Sequence, residues 1–193
     1  MFLAGLEGST PSLTVCSYII YLVFIMKHRV IDNLLSHHEL AHLQEVYLQD
    51  DFPWFWGPTT VPYDGSNCEN ELDNYQFYHP FYVPGMYNDT KYWHVLDPII
   101  KKLGVRSLLR IKGNLTTRTE KIVEHGFHVD FEWDDSLTAI WYANSNDGYT
   151  VFEDGTKIES VENRIVIFPV HCKHSGTSCT NAKRRLVINF NYF

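Results

Sequence analysis

Residues 137–168 of this 193-residue chain read LTAIWYANSNDGYTVFEDGTKIESVENRIVIF, and this stretch decides the fold. Short runs rich in β-branched and aromatic residues alternate with turn residues, and no helical period separates them. Asp154-Gly155 is typical of a two-residue hairpin, and Asn146-Asp147-Gly148 marks another reversal. The stretch therefore predicts four short strands, over residues 137–144, 149–153, 156–161 and 164–168.

The same pattern continues on both sides of this stretch. It predicts three further strands, over residues 107–116, 127–131 and 185–192. Seven short strands without intervening helical patterns favour two facing antiparallel sheets. We therefore expect a mainly β fold, a double-stranded β-helix (jelly roll, cupin-like), with its core over residues 107–193.

The residues before this core have helical signals. Ser36 and Glu39 have the spacing of a capping box and predict a helix over residues 37–49. A second helix is predicted from residue 90 or 91 to residue 102, with Gly104 as its stop signal. We expect these helices to buttress the barrel from outside, within a helical and loop region over residues 26–106.

The extreme N-terminus is expected to lie outside the folded domain. The apolar run over residues 13–26 has 14 residues, too few to span a bilayer comfortably. It lacks the basic start and the small-residue cleavage site of a signal peptide. We expect residues 1–25 to be a non-structural extension, translation to start at Met26, and residues 26–193 to form a single domain with no membrane association.

Composition excludes some classes of function. Sixteen basic and 23 acidic residues give a net charge of −7, so the chain lacks the overall basic character of a nucleic-acid-binding protein. The four cysteines do not form a recognisable disulfide framework in a chain of this length. A reducing cytoplasm is the expected location.

A candidate metal site begins at His128-Val129-Asp130. Residues two apart in a strand point to the same face, so His128 and Asp130 can both reach one metal ion. A third ligand is expected just beyond the apolar run at residues 165–168, where spacing alone leaves His171 and His174 both open. Two imidazoles and one carboxylate are the ligands of the facial triad that binds non-haem Fe(II). His125 is expected to point to the opposite strand face from His128, provided that the strand extends back to it.

A basic residue follows the distal histidines. Arg185 opens a period-2 strand and shares its mixed polar face with Val187, Asn189 and Asn191. A guanidinium group at this position could bind a small carboxylate through two parallel hydrogen bonds. Arg184 falls on the apolar face and is expected to reach solvent.

The order of these features resembles a known family. An HxD motif, an aromatic strand, a hairpin, a distal histidine and a basic residue follow one another between residues 108 and 193. This order resembles that of the 2-oxoglutarate- and Fe(II)-dependent dioxygenases, in particular the prolyl-4-hydroxylase-like branch and its compact phage and bacterial relatives. The resemblance implies that His128, Asp130 and His174 bind Fe(II).

The resemblance also assigns a cosubstrate site. It implies that Arg185 and the hydroxyl group of Tyr142 bind the distal carboxylate of 2-oxoglutarate, and that Ile140 lines the same pocket. The implied reaction hydroxylates an unactivated C–H bond and decarboxylates 2-oxoglutarate to succinate and CO2. It uses O2 as a further cosubstrate and is compatible with ascorbate.

The substrate and the oligomeric state are left open by these patterns. A peptidyl proline, a free amino acid and a small metabolite all fit a jelly-roll enzyme of this kind. Two other functions share the same ligand set. One is a non-catalytic jelly roll that binds a metal and a small acid, and the other is a zinc-dependent hydrolase with a metal-bound water.

Overall fold

The computed structural model describes residues 28–60, 71–85, 90–133 and 135–193, which form two β-sheets with helices on one side. The helices are α1 (His37–Tyr47), α2 (Thr90–Trp93) and α3 (Asp97–Leu103), with 3-10 turns at Glu71–Asp73 and His94–Leu96. The strands are β1 (Arg29–Ile31), β2 (Phe55–Gly57), β3 (Gln76–Tyr82), β4 (Leu108–Thr117), β5 (Leu137–Tyr142), β6 (Tyr149–Phe152), β7 (Lys157–Glu159), β8 (Ile165–Pro169), β9 (His174–Gly176) and β10 (Arg184–Tyr192).

The two sheets have the arrangement of a jelly roll. The larger sheet has the order β1-β8-β5-β10-β4-β3-β2, and the smaller has the order β7-β6-β9. All strand pairs within them are antiparallel. The predicted fold class, a double-stranded β-helix buttressed by helices, is confirmed.

Strand β5 explains why the core lies on both faces of the larger sheet. All six of its residues are buried. Ala139 and Trp141 belong to the cluster between this sheet and the helices, whereas Ile140 and Tyr142 belong to the cluster between the two sheets. A strand that is covered on both faces has an almost continuous apolar sequence, which explains why 137–142 stands out so clearly.

The helices pack against the outer face of the larger sheet. The capping box at the start of α1 is present, since the Ser36 hydroxyl accepts from the Glu39 amide and the Glu39 carboxylate accepts from the Ser36 amide. Leu43 and Tyr47 bury the inner face of α1, which ends two residues before the predicted limit. Gly104 ends α3 in the left-handed conformation, with a φ of 67°.

Some predicted elements differ from the structure. The segment predicted as a strand over residues 127–131 forms no continuous strand. His128 makes an isolated bridge to His174, and Glu124, just before the segment, makes one to Thr177. Strand β3 was not predicted, since Pro80 interrupts its apolar run. The register of β3 against β4 shifts between Pro80 and Tyr82, which accommodates the missing amide donor.

The expected N-terminal extension, residues 1–25, and the expected start at Met26 lie outside the described residues. Within the part of the chain that the structure describes, no helix has the length and apolar character needed to cross a membrane.

Candidate metal and cosubstrate site

The two sheets face each other across a cavity of about 770 Å³, and His128 and His174 meet on its wall. The amide of each histidine donates to the carbonyl of the other, with both N···O distances at 3.0 Å. This pairing places the two residues directly opposite each other, with ring centroids 4.7 Å apart. Backbone pairing therefore aims two imidazoles at the same point.

Asp130 completes a group of three possible metal ligands. One ligand atom from each of His128, Asp130 and His174 lies within 4.8 Å of the other two. Burial lowers the pKa of His174, so its imidazole is neutral, the form that binds a metal. Three ligands of this kind fit a facial triad with open coordination positions better than a closed structural zinc site.

The Asp130 carboxylate is held by three side chains. It accepts hydrogen bonds from Arg110 at 2.7 Å, from Asn191 at 2.9 Å and from Thr138 at 3.4 Å. Burial by itself would raise the pKa of Asp130, but the Arg110 guanidinium and the neighbouring donors outweigh it and hold that pKa well below its usual value. The carboxylate is therefore ionised and fixed in orientation, as metal binding requires.

Arg185 lies in the same cavity, fully inside the fold. Only 4% of the residue is exposed. Its Nε donates to Ser160 at 2.8 Å and its Nη2 donates to Thr150 at 3.1 Å, and neither partner is an acid. Among the described residues, the side chains that line the cavity include a single carboxylate, that of Asp130. A buried cation with only neutral partners is costly, and a ligand carboxylate would compensate it.

Tyr142 and Ile140 both come from β5 but are placed differently. Ile140 lines the cavity, whereas Tyr142 is fully buried behind it and donates to the Thr150 hydroxyl at 2.8 Å. The Arg185 guanidinium lies over the Tyr142 ring, 5.6 Å from its centroid. Thr150 thus lies between Tyr142 and the cavity. Its hydroxyl contacts both Tyr142 and Arg185, the two residues expected to bind the distal carboxylate.

The expectation for His125 is wrong. It was expected to face away from His128, but it lines the same cavity, because the segment around it pairs only through isolated bridges and so does not keep the alternation of a strand. His125 is only 5% exposed, and neither ring nitrogen has a hydrogen-bond partner in the part of the chain that the structure describes. Burial, together with the positive charge of Arg185 and with His128, lowers its pKa to about 4.

The structure also separates the alternatives that spacing left open. His171 is exposed and lines a different, shallower pocket with Cys172, whereas His174 is buried in the main cavity. Arg184 is half-buried outside the cavity.

Sequence reasoning missed the residues that support the ligands, namely Arg110, Thr138, Thr150 and Asn191. For Asn191, a signal was present. A buried, mostly apolar strand that carries polar side chains on alternate positions, as residues 185–191 do, indicates a polar cavity on one face. The same alternation places Arg110 on the cavity face of β4.

Comparison with solved structures identifies this architecture. A prolyl hydroxylase of Trichoplax adhaerens, solved with a peptide fragment of the hypoxia-inducible factor oxygen degradation domain, superposes with a TM-score of 0.65, 10% identity, and coverage of 92% of this chain and 89% of that one. The chain has the fold of the 2-oxoglutarate- and Fe(II)-dependent oxygenases.

Two further neighbours have the same fold. A 2-oxoglutarate- and Fe(II)-oxygenase-family oxidoreductase of Burkholderia pseudomallei gives a TM-score of 0.63 at 12% identity, over 99% of this chain and 93% of that one. The viral collagen prolyl hydroxylase of Paramecium bursaria Chlorella virus-1, solved as a 2-oxoglutarate complex, gives 0.57 at 15% identity, over 86% and 94%. No family model and no curated protein sequence matches the chain.

Proposed function

We propose that this protein is an Fe(II)- and 2-oxoglutarate-dependent dioxygenase that hydroxylates an unactivated C–H bond and releases succinate and CO2. The observation that carries the proposal is the combination of two features in one cavity. His128, Asp130 and His174 offer three ligands to one metal, and Arg185 offers a buried cation with no acidic partner among the described residues. The solved neighbours with this fold are consistent with it.

In this proposal each residue has a defined task. His128, Asp130 and His174 hold Fe(II), which when bound supplies the oxidative chemistry with 2-oxoglutarate and O2. Arg185 binds the distal carboxylate of 2-oxoglutarate, because its guanidinium is buried in the cavity wall and hydrogen-bonds only hydroxyl groups among the described residues.

Three further side chains support these groups. Thr150 and Tyr142 keep the Arg185 guanidinium in place, since Thr150 accepts from both side chains and the Tyr142 ring lies against the cation. Ile140 supplies an apolar wall beside the cosubstrate. The protein thus positions the reactants and excludes water, and no side chain is needed as a general base.

The test is an anaerobic titration of metal-free protein with Fe(II) and then 2-oxoglutarate. We expect the visible charge-transfer absorption of a keto acid chelated to Fe(II), and we expect its loss in His174→Ala. A protein that binds Fe(II) but never develops this absorption would be a metal-binding module or a zinc-dependent hydrolase instead.

A matched ligand tests the role of Arg185. 2-Oxovalerate has the keto acid group of 2-oxoglutarate but lacks the distal carboxylate. Arg185→Met should weaken 2-oxoglutarate binding at least 10-fold and leave 2-oxovalerate binding nearly unchanged, because only the lost ion pair distinguishes the two ligands. Equal weakening of both ligands would show that Arg185 has only a structural role.

A further inference from the structure

The cavity that contains the candidate metal site differs in charge from the chain as a whole. The chain as a whole is acidic, with a net charge of −7. The described side chains that line the cavity reverse this balance. Asp130 is their one acid, and the cations among them are Arg110, Lys112, Lys173 and Arg185.

Three of these four cations already have a partner or a proposed ligand. Arg110 pairs with Asp130 at 2.7 Å, and Lys173 pairs with Glu153 at 3.2 Å at the exposed rim. Arg185 is assigned above to the distal carboxylate of 2-oxoglutarate. The Lys112 ammonium group has no hydrogen bond or ion pair to any residue that the structure describes, and it lies over the Tyr78 ring, 5.2 Å from the centroid.

Lys112 is positioned by the register of the larger sheet. It lies on the cavity face of β4, and the residue directly opposite it on β10 is Asn189. The Asn189 side-chain oxygen is buried and accepts no hydrogen bond from the described residues. Asn114, two residues along β4, lines the same wall. The Lys112 ammonium and the side-chain amides of Asn189 and Asn114 therefore share one wall of the cavity. The next cross-strand pair on the same face is Arg110 and Asn191, which both contact Asp130.

The loaded site would leave this charge uncompensated. Ferrous iron, Asp130, the 2-oxoglutarate dianion and Arg185 together carry no net charge. Arg110 and Lys112 then contribute two positive charges to the cavity. Burial and the neighbouring Arg110 lower the pKa of Lys112, whereas Asp130 opposes the shift. An anionic group beside Lys112 would stabilise its charged form.

We infer that the substrate hydroxylated at this site carries a carboxylate and that Lys112 binds it, with Asn114 donating a further hydrogen bond from its amide. The inference rests on the proposed function, because it concerns the substrate of the same site. A carboxylate at Lys112 would fix the orientation of the substrate relative to the metal ligands. The carboxylate could belong to a free small acid, such as an amino acid, or to an acidic side chain in a peptide.

The experiment uses the protein loaded anaerobically with Fe(II) and 2-oxoglutarate. The probes are the free L-amino acids and their N-acetyl derivatives, each paired with its primary amide, and capped tripeptides with Asp or Glu at the centre, each paired with its Asn or Gln counterpart. Binding is read from the shift of the charge-transfer absorption, and coupling is read from succinate formation after O2 is admitted.

We expect at least one acid to shift the absorption and its amide to bind about 10- to 100-fold more weakly, the range of a hydrogen-bonded charge pair. Lys112→Met keeps an unbranched side chain but removes the charge, and it should reduce the affinity of the acid to that of the amide. Lys112→Arg should restore most of it. The affinity for 2-oxoglutarate should change less than 3-fold in both variants.

Lys173→Met is the matched control, because Lys173 lines the same cavity but is already paired with Glu153. It should leave the preference for the acid unchanged. The inference is wrong if no acid binds, if amides bind as well as acids, or if Lys112→Met binds the acid normally. Failure of the charge-transfer absorption to form at all would instead contradict the proposed function.

Discussion

Individual side chains in this site fall into those that would touch the metal and those that hold the ligands. His128 and His174 are fixed mainly by mutual backbone pairing. Asp130 depends on neighbouring side chains, since Arg110, Asn191 and Thr138 direct its two oxygens. Such supporting contacts commonly determine metal affinity as strongly as the choice of ligand.

Replacement of the distal histidine should distinguish the two candidates. His174→Ala should abolish tight Fe(II) binding, because only His128 and Asp130 would remain as ligands. His171→Ala is the control, since His171 is exposed and lies outside the metal cavity. Anaerobic calorimetry with Fe(II) measures both. Loss of binding in His171→Ala instead would mean that the cavity is not the metal site.

Removal of a supporting contact should also weaken metal binding. Asn191→Leu keeps a side chain of similar size but loses the hydrogen bond to Asp130. We expect Fe(II) affinity to fall about 10- to 100-fold, as is typical for the loss of such a partner. Asn189→Leu, on the same face of β10 but without a contact to Asp130, should bind Fe(II) normally in the same titration. Similar losses in both variants would indicate general damage to the strand.

The connection between helix and sheet depends on one turn residue. Asn163 lies in the turn between β7 and β8 and has a φ of 63°. Its side chain accepts from the Leu35 amide at 2.9 Å and donates to the Leu35 carbonyl at 2.8 Å. This buried pair ties the segment before α1 to the larger sheet, and Asn is one of the few residues that tolerate a positive φ.

Asn163→Ala should therefore destabilise the fold. It leaves two buried backbone groups of Leu35 without partners and places an alanine at positive φ, and we expect a loss of about 2–4 kcal/mol in the free energy of unfolding. Asn163→Gly removes the same hydrogen bonds but tolerates the φ, so it should lose about 1 kcal/mol less. Urea unfolding measures both variants. Equal stability of Asn163→Ala and the wild type would contradict this account.

Across the whole molecule, the cavity lies between two sheets that must face each other for the ligands to meet. Strand β9 supplies His174 from the smaller sheet, whereas β10 supplies Arg185 from the larger one. Fe(II), which would bind His174, and 2-oxoglutarate, which would bind Arg185, both need the folded arrangement of the two sheets. These ligands should therefore stabilise the folded state and not the unfolded state.

Loading the site should raise the melting temperature. With Fe(II) and 2-oxoglutarate each at about 100 times its Kd, binding stabilises the fold by about 2.7 kcal/mol per ligand, which corresponds to roughly 10–20 °C for both together in a domain of this size. Anaerobic differential scanning calorimetry measures the shift. His174→Ala should show almost no shift with Fe(II). An equal shift in that variant would place the metal elsewhere.

Much of the fold was predictable because it depends on local sequence patterns. The strands from residue 137 to 168, the capping box at Ser36 and the stop at Gly104 are confirmed, since each depends on neighbouring residues. Strands β1, β2, β3 and β9 were missed. Strand β1 pairs with β8, β3 with β4 and β9 with β6, all distant in the chain, and β2 pairs with β3 at the edge of the larger sheet. Strand β3 also contains a proline, which local rules exclude from a strand.

The candidate site, too, was predictable from the sequence only in part. The pattern of His128, Asp130, a distal histidine and a basic residue, together with the family resemblance of its order, predicted a metal site with an acid-binding cation. The choice of His174 required the resemblance or the fold, and so did the choice of Arg185. The cavity positions of His125 and Lys112 emerged from the tertiary structure alone. Which side chains face a shared cavity depends on strand register and on irregular segments, and both are fixed by contacts between residues far apart in the chain.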